Sequence, residues 1–198
     1  MSPGGPTEVD RCLELPGMVG IKLHTFGSRV DLKDEGHIAA VSAVWDKAHE
    51  HGAPILIHVA NPIGLALDAD AVGNLAFIIA THPNVRVLLA HNATSTDDQG
   101  IERWLFAFEA GVVNPDILFV DLSAALQFYE DSPISTRERI VWRLRKWGLE
   151  RVFFGSDWQV GALATPQQAL ETLGRYPFTQ EEVDLILRND GSAWLFGQ

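Results

Sequence analysis

Cysteine is nearly missing from this chain. Cys12 stands alone, so neither an internal disulfide nor a cysteine-based zinc cluster can form. That usage fits a reducing compartment, and a cytoplasmic location is expected. Basic residues are also scarce: 15 Lys and Arg face 26 Asp and Glu, for a formal charge of −11. Such a field opposes nucleic acid and anionic membrane surfaces unless a local patch overrides it. The one basic cluster, Arg137, Arg139, Arg143, Arg145 and Lys146, falls at helical spacing and is expected to be a solvated helix face. No apolar run approaches the ~20 residues of a membrane span, and the opening MSPGGPTEVD carries neither the basic region nor the apolar stretch of a signal peptide. A soluble chain with no nucleic-acid or membrane partner is therefore expected. The turns contain no G-x-G-x-x-G or Walker loop, and no G-x-S-x-G elbow supports a serine hydrolase.

What the chain does have is repetition. Five short apolar runs each end in a polar residue: MVGIKLH at His24, PILIH at His58, VRVLLAH at His91, ILFVD at Asp121 and RVFFGSD at Asp157. The steps are 34, 33, 30 and 36 residues. An apolar run without polar alternation reads as a strand buried on both faces, and about thirty residues per step leaves room for one helix and two loops. In parallel repeats the carboxyl ends of the strands collect on one rim, where α/β folds place their chemistry. Three His and two Asp on one rim point to a metal site or an acid–base site. At 198 residues with 46% hydrophobic composition, residues 1–198 are expected to form a single domain.

Between the runs the period changes to that of amphipathic helices. Residues 38–51 place Ile38, Val41, Val44, Trp45 and Ala48 on one face and stop at Gly52; residues 68–80 open on Asp68 as N-cap; residues 98–110 end at Gly111; residues 135–147 end at Gly148. Thr165-Pro166 reads as N-cap and first helical position, and Thr179-Gln180-Glu181-Glu182 as a capping box. His49-Glu50-His51 looks like a His-x-His ligand pair, but alternate residues on a helix diverge, so a surface position is expected. Continuous apolar strands alternating with helices imply a parallel sheet with right-handed crossovers, open or closed.

The series GIKLH, PILIH, VRVLLAH, FVDLS and RVFFGSDW closely resembles the amidohydrolase-related metal-dependent hydrolases, a group that includes the aminocarboxymuconate-semialdehyde-decarboxylase-like decarboxylases. The resemblance covers residues 8–198, essentially the whole chain. It implies an α/β fold of the (β/α)8 TIM-barrel type. Members begin with an apolar strand ending His-x-His; no such strand is found here, and residues 7–13 resemble the helix before the family's fourth strand. An incomplete barrel of about five of the eight βα units is therefore expected.

The same resemblance implies that His58 is a metal ligand, that Asp157 is a metal ligand and proton shuttle, and that His91 acts on the substrate or the activated water. His58 and Asp157 are thus the expected metal residues, and Asp157 and His91 the expected catalytic ones. The chemistry agrees, since a neutral imidazole is a good ligand for Zn²⁺, the expected ion, and for Mn²⁺, the other candidate. A carboxylate at the mouth of an apolar strand also needs a cation or donors beside it. Lys22 shares the His24 face of its strand by two-residue alternation. Asp121 with Ser123 is expected to serve in hydrogen bonding at a strand end, and Trp158 could wall the pocket. Residues 59–67, 92–100 and 122–134 are the expected specificity loops for a small, partly polar organic substrate. The main expectation is a metal-dependent hydrolase or decarboxylase working through an activated water. The alternatives are an inactive, truncated barrel serving as a scaffold, completed by a second copy or an N-terminal partner segment, and a metal-free binding module.

Overall fold

In a computed structural model, residues 5–93, 99–158 and 164–197 are described. Five strands form one sheet in the order of the sequence: β1 (Ile21–His24), β2 (Ile55–His58), β3 (Val87–Leu89), β4 (Leu118–Asp121) and β5 (Val152–Phe153). Every neighbouring pair is parallel, with Ile21 opposite Ile55, Ile55 opposite Val87, Val87 opposite Leu118 and Val120 opposite Val152. A doubly wound sheet reverses direction at a switch point. This one never does, and right-handed crossovers wound in one direction put their helices on one face, as around a barrel. Five βα units of the TIM-barrel type, an incomplete barrel, are what the strand order describes.

The helices are α1 (Gly5–Leu13), α2 (Glu35–His51), α3 (Ala69–Thr81), α4 (Gly100–Glu109), α5 (Ala125–Phe128), α6 (Ile134–Trp147), α7 (Pro166–Leu173), α8 (Gln180–Arg188) and α9 (Ser192–Phe196). The starts of α2, α3, α7 and α8 follow from side-chain caps. Asp68 accepts from the Ala71 amide, and Thr165 and Thr179 form reciprocal capping boxes with Gln168 and Glu182. α2 begins three residues earlier than its apolar period because Asp34 caps it, accepting from the His37 amide, and it stops at Gly52, whose φ of 64° is left-handed.

The outward face of the sheet carries Ile55, Ile57, Val87, Leu89, Leu118, Val120 and Val152 into the main core, where Trp45 of α2, Trp104 of α4 and Trp147 of α6 are fully buried. The inward face holds a second, smaller cluster of Leu88, Phe119 and Phe153, flanked by Leu56 and by Trp194 from α9. Arg86, at the start of β3, anchors α9 there by donating to the carbonyls of Trp194 (2.6 Å) and Leu195 (3.1 Å).

The basic cluster on α6 departs from a solvated face. Arg143 is buried, with its guanidinium 2.6 Å from Glu102 of α4, because α6 packs against α4. Arg145 pairs with Glu182 of α8 at 2.6 Å, Arg137 donates to the Arg175 carbonyl, and Lys146 lies over Trp142. His49 and His51 are on the surface, where the His51 ring meets Asp10 at 3.0 Å and ties α1 to α2.

Candidate active site

His24 and His58 end β1 and β2 and are register partners. Their rings stack in parallel, with centroids 4.2 Å apart and planes 5° from coplanar. The His24 Nδ1 accepts from the Gly27 amide at 2.9 Å, which fixes the ring against its neighbour. Thr25, buried just beyond, accepts from the Ala60 amide at 3.1 Å with its hydroxyl, which also lies 2.8 Å from the His58 carbonyl, fixing the end of β2. Burial, with His91, His24 and Lys22 around it, holds the His58 imidazole down to about 3 from its usual 6.5, so the ring is a neutral donor at physiological pH.

His91 meets the edge of the His58 ring at 4.7 Å and 67°. The ladder of β3 ends at Leu89, two residues before His91, because the chain then turns: His91, Asn92 and Ala93 all have φ of 58°. Three successive left-handed residues without glycine cost about 1–2 kcal/mol each, and such strain persists where the surroundings over-determine it. Here Asp121 does so. Its Oδ1 accepts from the amides of His91 (3.0 Å) and Ser123 (2.9 Å) and from the Ser123 hydroxyl, while its carbonyl accepts from the Asn92 amide (2.7 Å). The Ser123 carbonyl and hydroxyl in turn lie 2.9 and 3.1 Å from the His91 Nδ1. Gly155 leaves room for this, since a Cβ there would stand 2.9 Å from the Ser123 Cβ.

Asp157 lies four residues past β5 with φ of 54°. The Trp158 amide is capped by the Ser156 hydroxyl at 3.3 Å, and the Trp158 ring is exposed. Lys22 alternates onto the His24 side of β1; desolvation lowers its pKa, while the charges of Asp121 and Asp157 pull it back up.

The structure thus brings His24, His58, His91, Asp121 and Ser123 into one contact network at the strand ends, with Asp157 and Lys22 close enough to feel each other's charge. Among the described residues, no three His, Cys, Asp or Glu side chains form a cluster that could hold a metal ion. His58 and Asp157 therefore offer suitable donors without making a closed set. Thr25 and the turn at residues 91–93 carry no sequence signal of their own. Of the expected specificity loops, residues 94–98 lie outside the described residues.

A family model for amidohydrolases matches residues 2–189. The chain belongs to the amidohydrolase family. Solved amidohydrolase folds align over nearly all of it. A Burkholderia multivorans amidohydrolase, solved in one crystal form with zinc bound, is 17% identical with a TM-score of 0.62, covering 96% of this chain and 69% of that one. The 2,6-dihydroxybenzoate decarboxylase from Rhizobium is 14% identical with a TM-score of 0.63, covering 96% and 66%. The 5-carboxyvanillate decarboxylase from Sphingomonas paucimobilis is 12% identical with a TM-score of 0.61, covering 96% and 62%. The chain thus spans roughly two thirds of these neighbours' length. No curated protein sequence matches it.

Proposed function

We propose that this amidohydrolase-family chain supplies the carboxyl-terminal βα units of a metal-dependent hydrolase, or of a related decarboxylase, acting on a small organic substrate. The observation that carries the reading is the contact cluster of three imidazoles from adjacent strand ends, with the turn that aims one of them held under strain by Asp121. His58 and Asp157 would be this chain's donors to a divalent ion, Zn²⁺ or Mn²⁺. A catalytic zinc usually takes three protein ligands, so the rest of the set would come from a second copy or an N-terminal partner segment. When bound, such an ion supplies Lewis acidity and an acidified water.

The chain's own groups account for the rest of the site. His24 stacks on His58 and fixes its ring plane. His91 is the group placed to accept and return a proton at the substrate, and Asp157 is the carboxylate at the mouth for the same traffic. The Lys22 ammonium, on the same side of the sheet, would hold an anionic substrate group. A small ring bearing a carboxylate is the substrate class favoured, as in the two decarboxylase neighbours, one of which was solved with 2,6-dihydroxybenzoate.

Metal content by mass spectrometry, combined with turnover on a panel of aromatic carboxylic acids and cyclic esters, tests the reading. His58→Ala and Asp157→Ala are expected to lose metal and turnover together. His91→Gln is expected to keep the metal and lose turnover by roughly 10²-fold or more. Metal content and turnover unchanged in all three variants would sink the proposal. The second reading, an inactive open barrel serving as a scaffold or binding module, is favoured by the lack of a closed donor set among the described residues. It predicts a wild-type chain that binds no metal and turns nothing over, yet keeps its stability.

A further inference from the structure

The hydrogen bonds around His91 determine which of its nitrogens carries the proton. The Asp121 Oδ1 already accepts from two backbone amides, so it meets the Ser123 hydroxyl as an acceptor, and that hydroxyl spends its only hydrogen on it. The Ser123 oxygen is left with lone pairs toward the His91 Nδ1 at 3.1 Å, and the Ser123 carbonyl, an acceptor by nature, faces the same nitrogen at 2.9 Å. Two acceptors on one ring nitrogen require a hydrogen on that nitrogen. Among the described residues no hydrogen bond to the His91 Nε2 is found.

We propose that Asp121 and Ser123 are positioning residues that hold His91 as its Nδ1–H tautomer, so that Nε2 is the lone-pair nitrogen offered at the rim. This rests on His91 being the proton-handling group proposed above. The geometry unites two tasks in one carboxylate: Asp121 holds the left-handed turn that places His91, and it orients the hydroxyl that sets the ring's tautomer. Second-sphere contacts of this kind fix which nitrogen of a histidine is available for chemistry.

The tautomer can be read without turnover, from the imidazole ¹⁵N resonances of the EDTA-treated full chain, with His91 assigned by comparison with His91→Gln. The expected wild-type spectrum shows a pyrrole-type Nδ1 and a pyridine-type Nε2. Ser123→Ala removes one of the two acceptors and is expected to admit at least a tenth of the opposite tautomer. Asp121→Ala is expected to admit more, with a lower melting temperature. A pyrrole-type Nε2 in the wild type overturns the inference. So does a single Nδ1–H tautomer persisting in Ser123→Ala and Asp121→Ala, since a purely structural role would lower stability and leave the tautomer alone. Should Asp121→Ala not fold, Ser123→Ala decides. The expected tautomers in a chain without turnover would uphold the positioning and count only against the enzymatic reading.

Discussion

His58 folds as a neutral ring and unfolds as an ordinary imidazole, and this difference has a sign. Between pH 6.5 and about 3 the unfolded chain binds a proton that the folded chain refuses. Stability is therefore fully present above 6.5 and falls as the pH is lowered through that window, by at most about 1.4 kcal/mol per pH unit, and by less because the ring is partly solvated. Thermal melts near pH 7 and pH 5 should show the wild type losing more melting temperature than His58→Gln; equal losses would mean that His58 is not the group refusing the proton. His24, His58 and Asp121 were legible in the sequence because a polar residue ending an apolar run marks a strand terminus. The left-handed turn at residues 91–93 was not, because His-Asn-Ala lacks the glycine that advertises such a backbone, and its stabiliser, Asp121, lies 30 residues away. The tautomer of His91 depends on that same distant contact.

At the scale of elements, local chemistry explains the starts of α2, α3, α7 and α8. Asp68, Thr165 and Thr179 cap where their side chains can reach the next turn's amides, a property of four consecutive residues. α5 and α9, of four and five residues, are too short to show a period, and their positions are decided by distant partners: Tyr176 donates to the Leu126 carbonyl at 2.8 Å, and Arg86 holds α9. Arg143 escaped in the opposite sense, since helical spacing gave its face but not the neighbouring α4 that buries it. Asn189 shows what such distant contacts contribute. From the end of α8 its amide donates to the carbonyls of Leu149 (2.9 Å) and Val152 (2.7 Å), fixing β5 to the helix layer. Asn189→Ala should cost about 1–3 kcal/mol in urea unfolding at an unchanged m-value. A midpoint within error of the wild type would show that water replaces both bonds.

At the scale of the molecule, β1 and β5 each have one strand neighbour among the described residues, and β1 shows Lys22 and His24 to solvent on its inner side. Unpaired strand edges invite association. Sedimentation velocity is expected to show average mass rising with concentration; a constant 21.8 kDa particle over a hundredfold range would mean that the edges are protected. The sequence by itself determined the number of βα units, the class of fold, the family and the polar residue that closes each apolar run, because period, caps and strand-end chemistry are properties of a few neighbouring residues. Only the tertiary structure decided that the strands wind in one unreversed order, that the crossover helices gather on one face while α9 packs on the other, that Arg143 is buried, and that His91 is turned out of its strand and held by Asp121. Each of these is a contact between residues about thirty or more apart in the chain, and a contact of that range exists only once the βα units have packed against one another.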